Sequence, residues 1–180
     1  MMGMKADKNI LTRLLPKTGQ TVVYRAGDDG THQAGWWKGL LVATNKTRFV
    51  VKGTGLNAVV IDRATGLMWP VNGNSAGGAY GGYENWNNAI DWANGLNFAG
   101  FTDWRIPNIK ELLSILNFGT TGVLLDRPPF SNYTNEPFWS STSNPTNTLY
   151  KYTPDFGSGI VHITHLTAEE TYVICVRGGV

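Results

Sequence analysis

The sequence predicts an α+β domain, with two helices packed on antiparallel sheets. Two observations carry this. Within the domain, apolar residues recur at helical spacing in the middle of the chain, at 84–96 and 109–116. On both sides lie short β-branched or alternating runs separated by glycine and asparagine turns. A single cysteine, Cys175, in a chain of 180 residues adds that the core forms without a disulfide.

Residues 1–15 read as an N-terminal extension, either a short amphipathic helix on Ile10, Leu11, Leu14 and Leu15 or a disordered leader. Pro16 ends it, and residues 16–180 form the domain. Val22–Tyr24, Phe49–Val51 and Val59–Ile61 are predicted strands, with turns at GDDG (27–30) and KGTG (52–55). ATGLMW (64–69) reads as a turn feeding a buried strand, and NGNSAGGAYGG (72–82) as a flexible loop. Trp86, Ala89, Ile90 and Ala93 make one helical stripe, and Ile109, Leu112, Leu113 and Leu116 make a second. Asn108 with Glu111 three residues on is a capping-box arrangement. A long loop follows at 119–137, then LYKYT (149–153), GIVHITHL (159–166) and TYVICVR (171–177), which read as strands.

Charged residues make up 16% of the chain and the formal charge is +2, so there is no field that argues for nucleic acid. No apolar run approaches membrane-spanning length, and no membrane insertion is expected. The N-terminus lacks the apolar region of a signal peptide. Either the chain works without the general secretory route or a leader has been removed.

Catalytic arrangements are hard to assemble from these residues. Asp103, Arg105, Lys110 and Glu111 crowd around Trp104, with no histidine or cysteine nearby to complete a proton relay. Local roles suit them better: Glu111 in the cap, Lys110 on a solvated face, and Asp103 and Arg105 either paired across a tight turn or bonded to backbone there. His162 and His165 stand three apart on a predicted strand and therefore point to opposite faces. No metal site, cofactor or catalytic residue is expected. Cys175 reads as a buried, small apolar residue.

Seven signposts occur in a fixed order: LPKTGQT (15–21), the GDDG turn, D-x-ATGLMW (62–69), W-x-x-A (86–89), GFTDWRIPNIKEL (100–112), FWSST (138–142) and CVRGG (175–179). Together they resemble the C-terminal domain of the Legionella collagen-like adhesin and its bacterial and phage relatives. The resemblance implies a C-type-lectin-like fold whose terminal strands pair, here the ATGLMW region with YVICVR. It also implies a homotrimer that binds a protein or glycan receptor in an extracellular, cell-surface or virion-surface setting. Relatives by fold include the variable proteins of diversity-generating retroelements and the formylglycine-generating enzymes. A single buried cysteine argues against the enzymatic alternative. A structural trimerisation module is the other alternative.

The expected activity is non-enzymatic ligand binding. Residues 143–165 are rich in Asn, Thr, Ser and Tyr, and Lys151 and Asp155 are their only charges. Such a surface gives aromatic contact area with adaptable hydrogen bonds. The expected contacts are Asn144, Asn147, Tyr150, Tyr152, Asp155, Phe156 and His162. The aromatic rings would stack on a sugar or fill a pocket, and the polar groups would set orientation. The same composition is what adenine-directed diversification of asparagine codons leaves. Trp69, Trp86, Trp104 and Trp139 are assigned to the scaffold.

Overall fold

Asn85 and Asn108 each end an extended segment and start a helix. The Asn85 side chain accepts from Asn88 N, opening a helix at Trp86–Asn94 that stops at Gly95. At Asn108 the capping box is complete: Asn108 Oδ1 accepts from Glu111 N at 3.0 Å, and Glu111 Oε2 accepts from Asn108 N at 2.8 Å. This second helix, Ile109–Ile115, buries Leu112 and Ile115. One short helical turn precedes both, at Asp29–His32, capped by Asp28 inside the GDDG turn. In chain order these helices are α1 (Asp29–His32), α2 (Trp86–Asn94) and α3 (Ile109–Ile115).

The computed structural model describes residues 15–33, 35, 40–41, 46–73, 79–168 and 171–178. Apart from exposed Leu15, the N-terminal extension lies outside them. Strands β1 (Leu40–Leu41) and β2 (Lys46–Thr47) pair as a short hairpin. β3 (Phe49–Lys52), β4 (Val59–Asp62) and β5 (Met68–Pro70) form an antiparallel sheet in that order. β6 (Ala79–Tyr83) pairs with β9 (Tyr172–Ile174), and β7 (Tyr150–Pro154) pairs with β8 (Val161–His165), both antiparallel. The architecture is α+β with antiparallel sheets, as the sequence predicts.

Three local expectations change. Val22 and Val23 are more than half exposed, Tyr24 more so, and none lies in a strand; without a covered face their β-branched character has nothing to pack against. Residues 79–83 form β6 although glycine-rich, because β9 supplies a pairing partner. The expected partner exchange at the chain ends is only partial. Met68 and Arg177 form a bridge, with N–H···O bonds of 2.9 and 3.0 Å in the two directions, whereas Tyr172–Ile174 pairs with β6.

Trp69, Leu112, Ile115, Phe130, Phe138, Phe156 and Ile174 anchor the main core, joining the β3–β4–β5 sheet to α3. Trp139 packs with Ala89, Ala93 and Val173 under α2, and Trp104 packs with Phe98, Val59 and Cys175. Indole donors find backbone acceptors: Trp139 Nε1 donates to Glu84 O, Trp104 Nε1 to Phe98 O and Trp86 Nε1 to Ser140 O. These bonds let three of the rings pack inward without a lost hydrogen bond, whereas Trp69 Nε1, fully buried, has no hydrogen-bond partner among the described residues. Trp69, Trp104 and Trp139 thus hold the scaffold as fully buried rings, and Trp86 joins them partly buried.

One ion pair sits in the core. Arg48 and Asp62 are fully buried and bidentate, at 2.8 and 2.6 Å. Asp62 also accepts from Ala64 N and Thr65 Oγ1, which closes the ATG turn before β5. Arg48 Nη2 reaches Ser114 O on α3. The pair therefore ties sheet, turn and helix together, and leaving either partner alone would be costly.

Candidate recognition site

The charges around Trp104 resolve into clamps. Arg105 grips Glu111 with Nη1 and Nη2 at 2.8 and 2.5 Å and donates to Gly178 O at 2.8 Å. The Glu111 carboxylate keeps the guanidinium above its ordinary pKa. Asp103 does not pair with Arg105; it accepts from Arg177 Nε at 2.5 Å, and that bond holds its carboxyl below the usual range. Arg105 and Val176 exchange backbone bonds of 3.0 and 2.8 Å. The conspicuous charges of this segment fasten the C-terminal strand to α3, and Lys110 is exposed.

From this frame the chain builds outward. Trp139 N donates to Tyr172 O at the start of β9, and the segment 138–144 then runs beside β7. Phe138 N donates to Pro154 O, Tyr152 N to Thr142 O and Asn144 N to Tyr150 O, so β7 is tied on its inner side. β8 closes the other side, and among the described residues nothing pairs beyond it. Asp155 Oδ1 accepts from Gly157 N, Ser158 N and Ser158 Oγ, shaping the turn between the two strands. Gly159 is required there: its φ is +73°, and a Cβ would lie 2.4 Å from the Phe118 ring.

Alternation sorts the ribbon into two faces. Lys151 and Thr153 point inward and are buried. Lys151 Nζ donates to Ser143 Oγ at 2.8 Å and Thr148 O at 2.9 Å and sits 4.0 Å from the centre of the Trp86 ring. Burial lowers its pKa. Tyr150 and Tyr152 point outward and are half-buried, opposite His165 and Ile163 in the register. The Tyr150 and His165 rings meet edge to face at 5.2 Å. Ile163 is 53% exposed and Val161, on the same side, 38%. This face carries no Lys, Arg, Asp or Glu, because the one cation of the strand is turned inside.

The expected contacts divide accordingly. Tyr150 and Tyr152 come together on the outward face. His162 is exposed on the opposite face, across from Thr153. Asn144 Oδ1 accepts from Thr146 N and Oγ1, and exposed Asn147 accepts from Leu149 N, so both carbonyls shape the preceding loop. Asp155 is spent on its own turn. Phe156 differs from the expectation outright. It is fully buried, stacked on Phe138 at 4.2 Å, and offers no surface to a ligand. Sequence reasoning missed Ile163 and His165, which complete the face with the tyrosines; strand alternation from Val161 was the signal that places them on one side.

A cleft of about 760 Å³ lies elsewhere, between residues 17–21, β3 and the loop at 126–129. Arg48 on its wall is fully buried and committed to Asp62, and most of the remaining wall is apolar. Cys175 is fully buried and its thiol pKa is pushed up by burial. Among the described residues no group of three or more His, Cys, Asp or Glu stands close enough to hold a metal. No helix among them is long and apolar enough to cross a membrane.

A family profile for the Lcl C-terminal domain matches residues 58–177. The chain belongs to the Lcl C-terminal domain family. The matched span starts at the edge of β4 and ends at Arg177, so it includes the Trp104 clamp and the whole β7–β8 ribbon. Among curated proteins none matches this Lcl C-terminal domain chain. The membership is adhesin-related, in agreement with the resemblance carried by DWRIPN and WSST.

Proposed function

We propose that this chain is a non-enzymatic recognition domain of an adhesin or receptor-binding protein, displayed outside the cell or on a virion, with a C-type-lectin-like fold. The observation that carries the reading is the outward face of the β7–β8 ribbon: Tyr150, Tyr152, Ile163 and His165 together, with no Lys, Arg, Asp or Glu among them, on a strand pair anchored to the core. Tyrosines held on a rigid ribbon give contact area at low entropic cost. The face suits an uncharged partner surface, either a glycan ring or an apolar protein patch. The bridge Met68–Arg177, which brings the end of the matched span back towards its start, supports the lectin-like reading. A non-enzymatic role is supported by the burial of Cys175, since a reactive thiol needs access and a lowered pKa.

The test is an array of glycans and cell-surface proteins probed with the native chain and with Tyr150→Ala/Tyr152→Ala. Binding of the native chain, reduced about tenfold or more in the variant, supports the reading. A specific partner whose binding is unchanged by the double substitution contradicts it. The Asn-, Ser-, Thr- and Tyr-rich composition of 143–165 favours one version, in which the ribbon is diversified by a retroelement. A reverse transcriptase gene beside a near-copy of the 143–177 coding region is the observation expected for that version.

A further inference from the structure

Buried charge is handled in two ways in this domain. Arg48 and Asp62 are both fully buried and neutralise each other through a bidentate pair. Lys151 is 5% exposed and, among the described residues, has no carboxylate partner. A buried ammonium without a counterion costs folding free energy. The lowered pKa of Lys151 is the mark of that cost. An unbranched apolar side chain of the same length would fill the place without it. Stability alone therefore does not account for a lysine here.

What the ammonium holds is the loop that leads into β7. Nζ donates to Ser143 Oγ at 2.8 Å, before the loop, and to Thr148 O at 2.9 Å, within it. The Trp86 ring of α2 lies 4.0 Å away and takes the remaining side of the charge. Two backbone bonds join the loop to Tyr150: Asn144 N donates to Tyr150 O, and Tyr150 N donates to Asn147 O. Inside the loop, Asn144 Oδ1 accepts from Thr146 N and Oγ1, and Asn147 Oδ1 accepts from Leu149 N. Both side-chain carbonyls are thus used, whereas neither Nδ2 has a partner among the described residues. Residues 145–149 are exposed. Each asparagine that bonds Tyr150 through its backbone therefore keeps a free amide donor.

We propose that Lys151 is a positioning residue of the recognition site: its ammonium ties the 144–149 loop to Trp86, so that the amide donors of Asn144 and Asn147 are held beside the tyrosine face to meet acceptor oxygens of a partner. The inference rests on the reading of the ribbon face as the recognition surface. A loop fixed in advance loses less conformational freedom on binding than a loose one. That gain in binding stands against the folding stability lost to an unneutralised charge, a trade that belongs to functional sites.

Lys151→Met keeps an unbranched stem of similar length and removes the ammonium. In the full chain its melting temperature should be unchanged or raised, the opposite of what a merely structural lysine predicts. Amide hydrogen exchange followed by NMR should speed up roughly tenfold or more at Thr146, Leu149 and Tyr150, whose N–H groups bond within the loop. It should stay native at Tyr152 and Asp155 in the ribbon. On the array of glycans and cell-surface proteins, Lys151→Met should weaken about tenfold the same partners that Tyr150→Ala/Tyr152→Ala loses. Native loop protection in Lys151→Met overturns the proposal. So does a lower melting temperature with faster exchange throughout the domain, or native affinity for a partner that the tyrosine variant has lost. A partner indifferent to the tyrosine pair overturns the reading of the face instead, and the exchange measurement, which needs no partner, keeps the two failures apart.

Discussion

Residues 103–111 and residues 149–165 distribute charge and apolar surface in opposite ways. Around Trp104 the charges are prominent in the sequence, yet all but exposed Lys110 are taken up by partners within the domain: Arg105 by Glu111, Asp103 by Arg177. In the ribbon the one lysine is folded under Trp86, and the exposed face is left to tyrosine, histidine and isoleucine. The contrast teaches that charge density is a poor guide to function in this chain. Charges at 48, 62, 103, 105 and 111 hold the frame, whereas the face proposed for a partner carries no Lys, Arg, Asp or Glu.

The comparison breaks first, and most severely, at the buried pair. Asp62→Ala strands the Arg48 guanidinium in the core and should cost about 3–5 kcal/mol, measured by urea unfolding. Glu111→Ala removes half of the capping box together with the Arg105 clamp, and about 2 kcal/mol is expected to be lost in the same assay. Tyr150→Ala and Tyr152→Ala should each cost under about 1 kcal/mol, because both side chains are half-exposed at the molecule's edge. The smallest effect is on pH dependence. Arg177 holds the Asp103 carboxyl below its unfolded pKa, so this contribution is present above the ordinary carboxylate range. It is lost as pH falls through the depressed value. Asp103→Asn should therefore flatten the acid limb of the stability profile slightly and leave the alkaline limb unchanged, as followed by melting temperature against pH.

Much of the frame was legible in the sequence because its signals are local. Asn108 and Glu111 stand three residues apart, and the cap they predict is the cap observed. The stripes of α2 and α3 and the three C-terminal strands follow from spacing alone. What sequence could not supply was pairing over distance. β6 exists because β9 lies beside it, and AYGGY by itself reads as a loop. Val22–Tyr24 has strand-forming residues but no sheet to join.

The geometry of the candidate face was legible to a similar degree. Alternation of Tyr150, Lys151 and Tyr152 was readable, and it correctly separates the inward cation from the outward rings. Phe156 was not readable as core. Its burial depends on Phe138 and Tyr133, which the chain brings in from a distant loop. The role of Asp155 likewise depended on where the turn closes, and the carboxylate serves the turn. That no strand pairs with β8 beyond β7 among the described residues is a topological fact that no window of sequence contains.

The central claim is that frame and recognition face are separate parts of one domain. Its most direct test measures two quantities on two variants against a partner drawn from the array: affinity and unfolding free energy, for Tyr150→Ala/Tyr152→Ala and for Glu111→Ala. A loss of affinity with near-native stability in the tyrosine variant, and a loss of stability with near-native affinity of the folded fraction in the Glu111 variant, is the predicted result. Full affinity in the tyrosine variant, or lost affinity in folded Glu111→Ala, would contradict it.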